Sequence, residues 1–129
     1  MPGSTRCLEL RAARPEQLRL LDRLPEFRRS GKLCDVKLRS RDGTLYEAHR
    51  LVLSLASDAL SGLMGGIFCE GQDGREVEAD LPGKLLEGLL DFVYSGAARV
   101  PLAGARELLR FAHMFALDDL VRHLVDAVE

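Results

Sequence analysis

Tryptophan is missing from this sequence and aromatic residues make up only 5% of it, although 47% of its residues are apolar. A core without large rings has to be filled by Leu, Val and Ala, and that composition favours helices. Net charge is scarce as well: 18 Lys and Arg face 20 Asp and Glu, leaving −2. No stretch gathers basic residues on the scale that a run of phosphates demands, so direct nucleic-acid binding is set aside. No apolar run approaches the ~20 residues of a membrane span, and Glu9 and Arg11 stand where a secretion signal needs its apolar stretch. Three cysteines, Cys7, Cys34 and Cys69, are odd in number and irregularly spaced, which points to free thiols in a reducing compartment. A soluble protein of the cytoplasm, the nucleus or both is the expectation.

The usual chemistry is missing too. His113 and His123 lie too far apart to share a metal on one helix face, and no C-x-x-C pair occurs. Cys69 falls in an expected loop, yet no Gly-rich elbow or base-orienting motif accompanies it. Gly65, Gly66, Gly71 and Gly74 lack the lysine and the strand-to-helix setting of a phosphate loop and read as turn residues. No cofactor, metal or catalysis is expected. At 129 residues the chain has the size of one domain with one core.

What is present reads as an ordered series of short elements. Leu8 and Leu10 alternate on one side of a weak strand over Thr5 to Leu10. After Pro15, Leu18, Leu21, Leu24 and Phe27 recur at three-residue spacing among charged residues, marking an amphipathic helix that Pro25 is expected to end or bend. From Lys32 the period becomes two: Cys34, Val36 and Leu38 alternate with Asp35, Lys37 and Arg39, and Asp42-Gly43 turns the chain into Thr44 to Ala48. That is a hairpin. A helix follows from His49 to about Ser57, with Asp58 expected to cap a second short helix closed by Gly65-Gly66. A strand is expected over Glu76 to Leu81, then a helix opened by Pro82, carrying Leu85, Leu86, Leu89, Leu90 and Val93 and ended by Gly96. Two final helices, about Ala103 to Phe115 and Asp118 to Val128, are joined by a turn short enough to make them packed neighbours. The fold class is α/β in the α+β sense and mainly helical. A small, mostly three-stranded sheet is flanked by helices, with a helical hairpin at the C-terminus.

Three motifs in this order carry a family resemblance: Leu33-Cys34-Asp35-Val36; Ala48-His49-Arg50 with Val52-Leu53, Ser54 and Ser57; and Phe92-Val93-Tyr94-Ser95-Gly96. Together they resemble the BTB (POZ) domain, over about Leu20 to Val128, and most closely its kelch-like branch. On this reading residues 1–14 are an N-terminal segment holding a strand that can be swapped, and residues 15–129 are the BTB/POZ domain. The resemblance implies a homodimer whose interface includes Leu18, Leu21, Leu24, Phe27, Asp35 and Arg50. It also implies that Asp35 and Arg50 face one another as a partly buried ion pair. Losing one partner of such a pair is expected to cost ~3 kcal/mol or more. His49 is read as a hydrogen-bonded structural histidine.

The resemblance further implies a cullin-docking motif, a hydrophobic residue, any residue, then Glu, matched by Phe68-Cys69-Glu70. An exposed aromatic would supply the desolvated anchor and the carboxylate the orientation. The domain is then a substrate adaptor of a cullin-RING ubiquitin ligase. A second reading stays open, a transcriptional-regulator or scaffold BTB whose dimer groove takes corepressor peptides. Its mark would be the strand Thr5 to Leu10 swapped onto the partner near Ala98 to Val100. The chain departs from the family at Asp58-Ala59-Leu60, where an aromatic is common, and at Leu124, where a Cys is usual. The helical pair that extends the cullin contact, kelch repeats and zinc fingers do not appear. The sequence therefore reads as an excised domain, or one whose substrate-recruiting part lies elsewhere.

Overall fold

The leucine-spaced N-terminal segment does not form one continuous helix. A computed structural model describes residues 8–10, 21–65 and 75–128. In it Leu21 and Asp22 are helical, Arg23 is a turn, and helix α1 is Leu24–Ser30. Pro25, expected to end or bend the helix, lies in the first turn of α1 just after the break at Arg23. In a first turn the missing N–H of proline has no partner to lose and its fixed φ is already helical. Gly31 stops α1 in the left-handed region (φ 74°), its N–H reaching the carbonyls of Phe27 and Arg28.

Strands β1 (Val36–Arg39) and β2 (Leu45–Ala48) pair antiparallel, from Val36 opposite Ala48 to Arg39 opposite Leu45. Gly43 turns between them at φ 89°, and the Ser40 N–H closes the hairpin on the Thr44 carbonyl at 2.9 Å. The alternation that begins at Cys34 becomes strand only at Val36, because Leu33 takes a left-handed backbone (φ 59°) and turns the chain first. Strand β3 (Arg75–Glu78) lies parallel to β1 on its other side, giving the order β2-β1-β3. It ends three residues before the expected Leu81, although the Ala79 N–H still bonds the Arg39 carbonyl at 2.9 Å.

Helices α2 (Arg50–Ala56) and α3 (Asp58–Gly65) connect the hairpin to the segment before β3. Ser57, not Asp58, caps α3: its backbone is extended (φ −161°, ψ 130°) and its Oγ accepts the Leu60 N–H at 3.1 Å. Asp58 is the first helical residue, where its charge suits the positive end of the helix. The same Ser57 hydroxyl donates to the Phe115 carbonyl, so a single buried group joins the start of α3 to the end of α5. Helix α4 (Gly83–Ser95) follows Pro82 and ends at Gly96 in the left-handed region (φ 82°). Its Leu85, Leu86, Leu89 and Leu90 are all buried. Gly88 on α4 is a position of close approach: a Cβ there would stand 2.4 Å from Val100 Cγ1, so only glycine lets the 97–101 stretch cross the helix.

A 3₁₀ turn (Leu102–Gly104) leads into α5 (Ala105–Met114) and α6 (Asp118–Val128), the expected helical hairpin. The core collects Val36 and Leu38 from β1, Leu53 from α2, Val77 from β3, the α4 leucines, Leu108 and Phe111 from α5, and Leu120 and Leu124 from α6. The sheet, mainly β1 and β3, is thus covered by helices around an almost wholly aliphatic interior, as the ring-poor composition required. Among the described residues no helix is long and apolar enough to cross a membrane.

Candidate functional site

The start of α2 gathers most of the motif residues. Asp35, the residue before β1, uses both carboxylate oxygens on Arg50: Oδ1 accepts the backbone N–H at 2.8 Å and Oδ2 accepts Nε–H at 2.8 Å. One side chain therefore caps the first turn of α2 and pairs with its first cation. Burial pushes the Asp35 carboxyl up, but the two Arg50 hydrogen bonds and the guanidinium charge outweigh it and hold the group below its usual 3.8.

The side chains are 31% and 42% exposed, so water screens the pair and the ~3 kcal/mol expected for a more buried one is too large. Asp35→Asn is expected to cost only ~1 kcal/mol at pH 7, read from denaturant midpoints. Because the folded carboxyl is the stronger acid, the contribution is complete above about pH 5 and disappears as pH falls below 3.8 through the folded value. A variant as pH-dependent as the parent between pH 5 and 3 would contradict this assignment.

His49 precedes Arg50 and is engaged at both ring nitrogens. Nε2 lies 2.8 Å from the Lys32 carbonyl, which can only accept, so Nε2 carries the proton and Nδ1 accepts the Tyr94 hydroxyl at 2.7 Å. The Tyr94 oxygen in turn accepts the His49 backbone N–H at 2.9 Å. The histidine thus ties the turn after α1 to the end of α4, a structural role. Burial is the main reason that the Tyr94 phenol is pushed up to about 12. Cys34 lies 3.6 Å from His49 Nε2, but burial first, then the charges of Glu47 and Asp35, push its thiol up, which keeps it protonated and a poor nucleophile. Arg28 of α1 completes the junction, with its guanidinium 5.3 Å from the Tyr94 ring centre and 2.5 Å from Asp91, and its side chain 9% exposed.

Beside this polar junction several leucines face solvent. Leu51 and Leu55 are 69% and 78% exposed, and four residues apart on α2 they share one face. Leu33 is 81% exposed and held in a left-handed conformation that costs a leucine ~1 kcal/mol. Leu21 is 52% exposed. Leu24 and Phe27, expected on the same stripe, are partly buried, and Leu24 packs on the core of its own domain. Leu18, Phe68 and Glu70 lie outside the described residues. The sequence reading missed Leu33, Leu51 and Leu55, although the spacing of the last two was a signal. Arg28 and its partner Asp91 are 63 positions apart and nothing local links them.

The three motifs thus meet around the start of α2, with Asp35 on Arg50 and His49 on Tyr94. The chain belongs to the BTB/POZ family: the family described as BTB/POZ domain matches residues 24–129. Kelch-like proteins are among its curated relatives. It is 32% identical over 123 residues to Kelch-like protein 11 of Mus musculus, covering 88% of this chain and 16% of the relative. To Kelch-like protein 21 of Homo sapiens it is 35% identical over 97 residues, covering 75% of this chain and 16% of the relative. The chain therefore spans about a sixth of the length of these relatives. Among solved structures, the BTB domain of zebrafish PATZ1 superposes with a TM-score of 0.78 at 22% identity, over 94% of this chain and 98% of that one. The BTB domain of human gigaxonin gives 0.73 at 19% identity, over 95% and 98%.

Proposed function

We propose that this domain forms a homodimer and serves as the cullin-binding adaptor module of a RING ubiquitin ligase. The observation that carries the reading is the open leucine face of α2 beside the Asp35 and Arg50 pair, in a chain whose curated relatives are kelch-like. Two solvent-facing leucines on one helical turn are costly singly and cheap once a second copy covers them. The dimer interface takes Leu18, Leu21, Leu24 and Phe27 with Leu33, Leu51 and Leu55, and Asp35 and Arg50 sit at its edge. Phe68 and Glu70 provide the cullin contact, the aromatic as anchor and the carboxylate for orientation.

Light scattering at micromolar concentration should report a dimer, and Leu51→Asp with Leu55→Asp should return a folded monomer with unchanged circular dichroism. Calorimetry with the N-terminal region of a cullin should show binding that Glu70→Ala weakens at least about tenfold. Absence of heat with the parent domain, or no change on Glu70→Ala, would defeat the adaptor assignment. One observation favours the corepressor reading: Leu8 and Leu10 are about nine-tenths exposed, and neither they nor residues 97–100 belong to a strand of the described chain. A strand swapped between copies would use both. Its test is a corepressor peptide that shifts NMR resonances around Asp35 and Arg50.

A further inference from the structure

We infer that Ser30 is a phosphorylation site for a protein kinase that selects arginine, and that a phosphate there loosens α1 from the domain. The inference about dimer strength below rests on the dimer reading; the site itself does not. Ser30 is the last residue of α1, exposed, with its hydroxyl spent only on a weak bond to the Phe27 carbonyl at 3.3 Å. Arg29 precedes it directly and is exposed, and a guanidinium before a hydroxyl suits a kinase cleft lined with carboxylates; Arg28, held on Tyr94 and Asp91, joins it only once the helix end opens.

The other described serines fit less well. Ser40 also follows an arginine but is 4% exposed, Ser57 is buried, and Ser95 is held by the Asp91 and Ala97 carbonyls. Ser54 and Ser61 sit half-buried within α2 and α3 and lack a preceding cation. Ser30, by contrast, lies at a helix end followed by a glycine turn, where local opening costs least. In the step itself the Ser30 Oγ bonds to the terminal phosphorus of a nucleoside triphosphate. The bond from that phosphorus to its bridging oxygen breaks, the diphosphate leaves, and the hydroxyl proton passes to a base of the kinase.

The surroundings decide the sign of the effect. A dianion at Ser30 meets the negative end of the α1 peptide dipoles. It also faces Glu47 of β2, which lines with Ser30 the shallow groove between α1 and β2. Arg28 cannot swing out to neutralise it, because its guanidinium is clamped between Tyr94 and Asp91. Arg29 and Lys32 remain as exposed cations, and Lys32 already rests over the Phe27 ring at 5.3 Å. On this proposal the fixed Glu47 and the helix end repel the phosphate, and α1 lifts from β2 and α4, on which it packs.

The test is to treat the whole chain with an arginine-directed serine kinase and ATP and to read intact mass, peptide maps, amide exchange and light scattering. The expected result is one phosphoryl group mapped to Ser30, none on S30A, faster exchange at the α1 amides, and a dimer dissociation constant raised about tenfold. No incorporation, or incorporation elsewhere with S30A equally modified, overturns the site. Stoichiometric phosphate at Ser30 with α1 exchange unchanged overturns the loosening. An unmodified chain that is monomeric refutes the dimer alone, and the exchange measurement still decides the loosening.

Discussion

Truncating Leu86 to alanine is expected to lower folding stability by about 3–4 kcal/mol. The side chain is completely buried and lies on α4 where four other elements meet it. It packs with Leu38 of β1, Leu53 of α2, Val77 of β3 and Phe111 of α5 at the apolar floor of a partly open pocket that Arg41 and Glu107 rim. Removing three carbons forfeits their transfer free energy and leaves a space where they packed. The neighbours are constrained by a paired strand and three helices and can collapse only partly, which places the cost in the middle of the range for leucine truncation. Urea unfolding followed by circular dichroism measures it, and a loss below ~1 kcal/mol would mean that this wall of the core is soft enough to close.

Tyr94→Phe is the second large effect, about 2 kcal/mol. The ring stays, and with it the stacking of Arg28, but the hydroxyl that accepts the His49 N–H and donates to His49 Nδ1 is gone. Both groups then stand part-buried and unpaired, and such groups cost more than the bond was worth. The phenol also sets an alkaline limit. Its pKa rises from 10.0 to about 12 on folding, so the unfolded chain loses the proton first and stability falls as pH climbs from 10 towards 12. Denaturant midpoints of the variant should decline less steeply over that window. Equal slopes in parent and variant would mean that the phenol ionises alike in both states.

The periodicities carried most of the element order, because aliphatic spacing is itself what packs: the 85, 86, 89 and 90 leucines name the buried face of α4, and Asp42-Gly43 names the turn. Local rules failed where a side chain had two plausible duties. Proline can stop a helix or start one, and at Pro25 its neighbours did not discriminate. Ser57 and Asp58 are both good caps, and what selected Ser57 was a carbonyl 58 residues away. At the site, the partnership of Asp35 with Arg50 was legible from the family motifs. Its partial burial was expected as well, but how far water screens it depends on how α1 and α2 leave the groups open. The parallel placement of β3 and the clamp on Arg28 are long-range outcomes with no local trace.

The outer rim of β3 bears on a hazard common to small sheets. Among the described residues this strand ends the sheet, and the bare amides of an edge strand invite another molecule to stack there without limit. Glu76 and Glu78 point into solvent along it, and Arg39 of β1 pairs with both. An incoming copy of the same strand would set its own Glu76 and Glu78 against these charged side chains, which disfavours repeated stacking on that side. The proposed attachment through helical leucines, by contrast, ends once the two faces cover one another.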